Sequence, residues 1–540
     1  MLTPSTEYQD KTAFGVNWPV YLIHFDGETT DYTTSDRIIA PDNTILPIVK
    51  SISGNSQSIT PEEGRSSIGE MTISILDYFN GSDYVITKLL GDDTYNLHRK
   101  KTIIKGGYRD LTEAQMAILF TGWVTDVNMW NDGTGYDIII TDPQKWLQRK
   151  IFRGAETTPF SFGGNPITIM LRILLSTGNG TNGKYDVYDA ENGLGIDASF
   201  INVSHIEKER ERWFPSTRFS FDIQERLVAK DFLEKEIFQP CNIYPIIKGD
   251  GTFDIKVFRP PFPDDYGEVQ SFDEDVIIGL PTWDENLNGV INEIEFHYDY
   301  NSANDEYDSE NYFLNATSID NRGCGKKSLK IESKGIKTTK NGVEFITKRS
   351  ERIFTRYASP PPIITIKTFF SRHLSEVGDI VPVTHTKIPN LRTSSRGITN
   401  HYMEIIKRNI DWVKGICKFT LLYTSFTGKK YAILSPTGHI TSATTNTLTL
   451  TAGEGESFRA NWGIDIYRKN MVAVGSNYTI ASMSSDIVTL TTDLAIAPSA
   501  GYKVGFTDFD HCTTQQRVYG FLSDTSTQVG TTNASPYYIY

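Results

Sequence analysis

The sequence predicts a mainly β protein with a mixed α+β middle: two small, strand-rich, barrel-like units and an all-β tract at the C-terminal end. Three observations carry this expectation. Residues 100–142 read as strand, connector, strand, tight turn, strand, with Trp123, Thr125, Val127 and Met129 alternating against Val124, Asp126 and Asn128, the period-two pattern of a strand with unlike faces. Residues 153–240 carry a more helical pattern. Beyond residue 427, short Thr- and Ser-rich strands follow at close spacing, as in a separate small all-β domain. A chain of 540 residues is too long for one ordinary core, and four units are expected: 1–152, 153–362, 363–426 and 427–540.

In the first unit, 20–25 (VYLIHF), 45–52 and 70–77 (EMTISILD) read as strands. The polar segment 53–69 (SGNSQSITPEEGRSSIG) between the last two has little to bury and is a long excursion, so it is expected to be a contact arm. Its Glu63 and Arg65 are candidate interface residues. Asn131-Asp132-Gly133-Thr134-Gly135 supplies the positive-φ residues of a hairpin loop. Asp142 can cap a short helix with Pro143 at its first position, closing the unit.

In the middle unit, Asn165-Pro166 opens a helix that Gly178 ends. Asp222 with Glu225 resembles a capping box, followed by a helix that stops at Pro240. The run 207–212 (EKERER) reads either as a solvated helix face with close ion pairs or as an interface whose anchors are Arg210, Arg212 and Trp213. Strands follow at 243–247, 253–258 and 290–300. Residues 301–311 (NSANDEYDSEN) read as an exposed acidic loop and 326–340 as a solvated basic stretch. The second barrel-like unit has strands at 363–369, 380–385, 402–411 and 416–423, and 424–428 is the linker to the last tract.

The totals exclude several functions. A net charge of −13 opposes a sequence-independent nucleic-acid binder, which needs a basic face. No run of about 18 apolar residues predicts a membrane helix, and the first residues, MLTPSTEYQDKTAFG, lack the apolar core of a secretory signal. Cys241, Cys324, Cys417 and Cys512 are far apart in sequence, without the close pairs of a structural zinc site, and reduced thiols are expected. Gly178, Gly180 and Gly183 match the dinucleotide-binding spacing as text but follow a helix instead of opening one, so a flexible loop is expected. Asp186, Asp189, Glu191 and Asn192 do not fit a calcium loop. His511 and Cys512 are adjacent and would point to opposite faces of a strand. Acidic clusters such as Asp264-Asp265 and 273–275 leave a carboxylate-pair hydrolase open, because sequence spacing does not reveal such a pair.

Five stretches carry a resemblance: 56–77 (SQSITPEEGRSSIGEMTISILD), 100–142, 191–207 (ENGLGIDASFINVSHIE), 377–385 (VGDIVPVTH) and 502–524 (YKVGFTDFDHCTTQQRVYGFLSD). In this order they resemble the tail-tip or baseplate hub proteins of long-tailed bacteriophages and gene transfer agents. The resemblance implies two β-barrel hub domains per protomer, and a homotrimer whose six barrels match a hexameric tail tube. It implies a non-enzymatic virion protein made in the host bacterial cytoplasm. Its implied partners are the tail tube, distal tail, tape measure and fibre or spike proteins, and genomic DNA passes through its lumen without specific binding. No cofactor or metal is expected; the cluster-binding cysteines of some tail-tip proteins have no counterpart in these scattered ones. A tail-borne glycan hydrolase and a receptor-binding adhesin are the alternatives.

Overall fold

The computed structural model describes residues 5, 7–8, 11, 19–34, 44–91, 96–108, 111–214, 217–258, 270–322, 325–390, 394–411, 414–423, 430–434, 438–468, 473–506, 518–523 and 538–539. Strands account for 44% of the chain and helices for 21%, so the mainly β expectation holds.

The first sheet has eight strands, in the order Thr44–Leu46, Thr30–Thr33, Pro19–Phe25, Lys101–Tyr108, Ala117–Met129, Gly135–Thr141, Glu70–Leu76, Val49–Ile52. Its two edge strands are consecutive in the chain, separated only by Pro47 and Ile48, so the sheet must roll until its edges approach. The expected single strand at 45–52 is therefore two. Pro47 has no N–H for a ladder, and the pieces on either side of it serve opposite edges of the sheet.

The second sheet runs Thr282–Asp284, Ile363–Phe369, Ile416–Tyr423, Ser395–Asp411, Asn55–Thr60, Arg65–Ser66, and Ile380–Asn390 also pairs with Ser395–Asp411. It is assembled from three stretches of chain, two of them outside 363–426. One apolar core serves both sheets, joining Ile23, Ile73 and Ile138 to Ile366, Val381 and Phe419.

The two sheets share a four-strand order. In the first, Glu70–Leu76, Lys101–Tyr108, Ala117–Met129 and Gly135–Thr141 come in that order along the chain and lie second-third-fourth-first in the sheet. In the second, Ile363–Phe369, Ile380–Asn390, Ser395–Asp411 and Ile416–Tyr423 do the same, and every pairing is antiparallel. The match extends to single residues. Val124 N–H donates to Lys100 O at 3.0 Å and Val124 O accepts from Arg99 N–H at 2.9 Å; Ile405 N–H donates to Asp379 O at 2.9 Å and Ile405 O accepts from Gly378 N–H at 2.8 Å. Each long strand then bulges one residue later, at Thr125 and at Ile406. The bulge corrects the simple alternation read from 123–129: Val124 is buried, and Met129 is 64% exposed.

The middle unit packs a second core around the helix Pro166–Leu175, whose N-cap Asn165 accepts from Ile167 N–H at 3.0 Å. Asp222 is not a helix cap: Phe219–Ile223 is a strand paired with Phe160–Gly164, and the Asp222 carboxylate accepts from the Ser161 and Ser302 hydroxyls at 2.7 and 2.6 Å. The helix begins at Ala229 and runs through Pro240 to Cys241, with a π stretch at Leu233–Phe238 whose widened turns admit the proline ring. The expected acidic loop is a hairpin of Glu293–Asn301 and Glu306–Leu314, turning at Asp305 with φ 55°. Part of the expected basic stretch, Ser328–Glu332, adds to this hairpin as a parallel strand and buries Ile331. A sixteen-residue helix, Gly342–Tyr357, follows.

The C-terminal tract folds as a closed six-stranded barrel in the order Gly438–Ala443, Thr447–Leu450, Ile487–Leu490, Ala473–Ser484, Gly463–Tyr467, Lys503–Phe506, around its own apolar core. Lys430–Leu434, Val518–Ser523 and Tyr538–Ile539 form a separate three-stranded sheet.

Candidate assembly site

The segment expected to reach a neighbour stitches this chain to itself. Asn55–Thr60 pairs with the long strand Ser395–Asp411, Lys407 opposite Ser58 and Ile410 opposite Asn55. The close approach requires Gly54, whose Cβ would stand 2.8 Å from Ile410 O. The segment then folds back on itself: Ser67 N–H donates to Ser58 O at 2.8 Å, and Ser58 N–H to Ser67 Oγ at 2.9 Å. At the tip Gly64 has φ +66°, and its Cβ would lie 2.5 Å from Gln239 N, so the turn sits against the end of the helix in the middle unit.

The return is held by the 142–148 turn. Asp142 N–H donates to Gly69 O at 2.9 Å, and the Asp142 carboxylate accepts from Gly69 N–H at 2.5 Å and from Gln144 N–H at 2.9 Å. Burial pushes this carboxyl up to about 7, against the pull of those two amides. Gln144 completes the grip, accepting from Ser66 Oγ at 2.9 Å and donating to Ser67 O at 3.2 Å.

A buried polar joint lies beneath the tip. Arg356, on the helix Gly342–Tyr357, donates to Glu404 of the second sheet at 2.5 Å, and Glu404 also accepts from the Tyr244 hydroxyl. Burial disfavours the guanidinium charge, but Glu404 outweighs it and holds the Arg356 pKa above its ordinary value. The Tyr357 hydroxyl donates to Glu62 of the arm at 3.0 Å. Burial raises the Glu62 pKa against the Tyr357 hydroxyl and Arg356. Arg349, on the same helix face, donates to the carbonyls of Gln239 and Pro240 at 2.7 and 3.0 Å, a cation closing a helix C-terminus. A second pair, Lys256 with Asp379 at 3.1 Å, ties the strand Phe253–Val257 to the turn before Ile380–Asn390. Arm, middle unit and second sheet meet at one point.

The expected interface residues divide. Glu63 and Arg65 stand at the surface, with side chains 43% and 61% exposed; they pair with each other at 3.0 Å, and Arg65 reaches Glu234 at 3.6 Å. Arg210 and Trp213 are interior anchors of this chain. Arg210 donates to Thr168 Oγ1 and Tyr185 Oη at 3.1 and 2.9 Å, and the Trp213 indole to Glu209 at 2.9 Å, because the helix Val203–Trp213 turns that face onto Pro166–Leu175. The side chain of Arg212 lies outside the described residues. Asp186, expected in an exposed loop, is spent within it. Its burial is outweighed by the Thr177 hydroxyl and by amides of Thr177, Asn182 and Gly178, which bring it to about 2. Among the described residues no group of three or more His, Cys, Asp or Glu side chains could hold a metal ion, and no helix is long and apolar enough to cross a membrane. Cys241 and Cys417 are buried free thiols, while Cys324, Cys512, His511 and the pair Asp264-Asp265 lie outside the described residues.

No family model matches the chain, and no curated protein is similar to it. Among solved structures it is similar to the 43 kDa tail protein of prophage MuSo2 from Shewanella oneidensis, at 10% identity and TM-score 0.40, covering 75% of this chain and 98% of that one. It is similar to the tail protein from Neisseria meningitidis MC58, at 10% identity and TM-score 0.37, covering 75% and 98%. Prophage tail protein gp18 from Listeria monocytogenes EGD-e is also similar, at 8% identity and TM-score 0.36, covering 74% and 94%. All three structural neighbours are tail proteins, two of them of prophages.

Proposed function

We propose that this chain is a structural virion protein, the hub of a bacteriophage tail tip or baseplate. Three copies form a ring that joins a hexameric tail tube to fibre or spike proteins and surrounds the DNA exit path. The observation that supports this reading is the repeated four-strand order, with its matched bulge, in two sheets packed over one core. One protomer then offers two similar wall elements, and three protomers offer six. The net charge of −13 suits a lumen that DNA must not adhere to. Glu63 and Arg65, at the surface beside the arm tip, face a neighbouring tail protein. The mass of the purified chain, alone and with its tube protein, tests the reading: three copies and incorporation into tail rings are expected, and a strict monomer that never joins a ring sinks it.

The C-terminal barrel, with a core separate from the other two, supports an appended receptor-binding role. Deleting 427–540 is expected to abolish cell binding and leave the ring mass reduced only by the deleted part. Full cell binding by the truncated chain would exclude that role.

A further inference from the structure

The two matched sheets differ at the outer edge of the long strand. Past Ile405, the outer edge of the second sheet's long strand is covered by the arm, which pairs with Lys407, Arg408, Asn409 and Ile410. The first sheet's long strand continues past Val124 in the same way. There the matched residues Asp126, Val127, Asn128 and Met129 pair with Gly135–Thr141 on one side and with no described strand on the other. Ile410 is fully buried, whereas Met129, its counterpart, is 64% exposed. Val127 N–H is capped by the Asp126 carboxylate at 2.9 Å, which an incoming strand would displace. A strand edge that pairs with no described strand and ends in an exposed apolar side chain is a template for an added strand.

The position of the arm in the chain points to what fills the gap. The arm is inserted between Val49–Ile52 and Glu70–Leu76, which pair with each other. The matching pair in the second sheet is Thr282–Asp284 and Ile363–Phe369, and the insertion between them holds the hairpin whose outer strand, Glu306–Leu314, is itself a free sheet edge. Its exposed face carries Glu306, Asp308 and Glu310, then Tyr312 and Leu314 at 54% and 51% exposure. Beside the open edge lies a cleft of about 680 Å³, lined by Trp123, Trp146 and Phe200, by the three cations Arg99, Lys145 and Arg149, and by two carboxyl groups, Asp142, which is spent on Gly69 and Gln144, and Asp197, which accepts from Ser199 N–H. These three cations have no carboxylate partner among the described residues, and no ion pair there joins the strand Glu306–Leu314 to the cleft within one chain. The strand offers acid and apolar groups, and the cleft offers cations and aromatic rings.

We infer that the strand Glu306–Leu314 of one copy adds to the open edge at 126–129 of the next, its acidic face over the cationic cleft. The inference rests on the ring proposed above and names its contact. A contact between unlike surfaces closes a ring by rotation, as a trimer needs, whereas a twofold dimer joins like to like.

Cross-linking the full-length chain tests it. Chains carrying only Met129→Cys, mixed with chains carrying only Tyr312→Cys, are expected to give covalent dimers with a short bis-maleimide, above the background of each variant alone. Both positions are exposed, so folding is not at stake. Independently, Lys145→Glu with Arg149→Glu should lower the native mass from trimer to monomer, and Asp308→Lys with Glu310→Lys in the same chain should restore it. A wild-type trimer that gives no cross-link and ignores the charge reversal overturns the contact and leaves the ring standing. A chain that is monomeric at every concentration and absent from tail rings removes both. Hydrogen-exchange protection of 126–129 that appears only on adding a different tail protein also overturns it, in favour of that partner.

Discussion

Arg356 and Glu404 meet at 2.5 Å with 1% and 4% of their side chains exposed, so an ion pair out of water fastens the middle unit to the second sheet. Two buried charges attract strongly, but each has lost its hydration, and such a pair adds little net stability over well-packed apolar side chains. Removing one partner is different, because the other charge then stays buried alone. Glu404→Gln is expected to destabilise the chain by about 3–5 kcal/mol, read from the urea midpoint. Replacing both, Arg356→Met with Glu404→Leu, should recover most of that loss. A Glu404→Gln midpoint equal to wild type would mean that the joint holds nothing.

The arm tip depends on one glycine. Gly64 combines φ +66° with backbone atoms of Phe238, Gln239 and Ile243 inside 3 Å of where a Cβ would lie. Gly81 has φ +100° and open space around it. Gly81→Ala should therefore cost about 1 kcal/mol, the conformational term alone. Gly64→Ala should cost more, and it should lift the tip and open 53–69 to limited proteolysis. Equal cost and equal proteolysis in the two variants would detach the tip from the middle unit.

The strands of the first sheet were legible in the sequence because period-two alternation survives wherever one face is buried, as at Glu70–Leu76. The joint was not legible. Its helix, Gly342–Tyr357, buries Ile346, Arg349, Ile353 and Arg356 on one face, and arginines at core positions erase the apolar stripe that marks a helix. Their i, i+7 spacing was the available signal. The hairpin at 293–314 was hidden the same way, since Glu306–Leu314 puts acids on its outer face and Tyr307, Ser309 and Asn311 on its inner one. The arm was identified as an excursion, but its destination depends on a strand more than 330 residues away, which local pattern cannot report.

The grip on Gly69 should be visible in the pH dependence of stability. Burial raises the Asp142 carboxyl from 3.8 to about 7. Below pH 3.8 the group is protonated whether the chain is folded or not, and its contribution is complete. Between 3.8 and about 7 the unfolded chain releases a proton that the folded chain keeps, so stability falls as pH rises. Asp142→Asn keeps an oxygen for only one of the Gly69 and Gln144 amides, which bind different carboxylate oxygens, so it lowers stability at every pH, and it cannot ionise. Its stability should lack that fall, read from melts at pH 4, 5.5 and 7. A wild-type slope retained in Asp142→Asn would assign the proton elsewhere.

His373 should give the opposite slope. Its Nδ1–H donates to Phe370 O at 2.6 Å, which leaves Nε2 to accept the Tyr8 hydroxyl at 2.6 Å, and the ring stacks on Phe370 at 4.1 Å. This arrangement holds a neutral imidazole. Burial, with Arg408 nearby, brings the group from 6.5 down to about 3. Above pH 6.5 the ring is neutral in both states and its contribution is complete. As pH falls from 6.5 towards 3 the unfolded chain takes up a proton that the folded chain refuses, so stability drops with acidification. His373→Gln is expected to lose the acid-side slope and keep the Asp142 slope, while Asp142→Asn does the reverse. If each replacement removed both slopes, the two groups would be one coupled site, which the separate hydrogen-bond partners of Asp142 and His373 argue against.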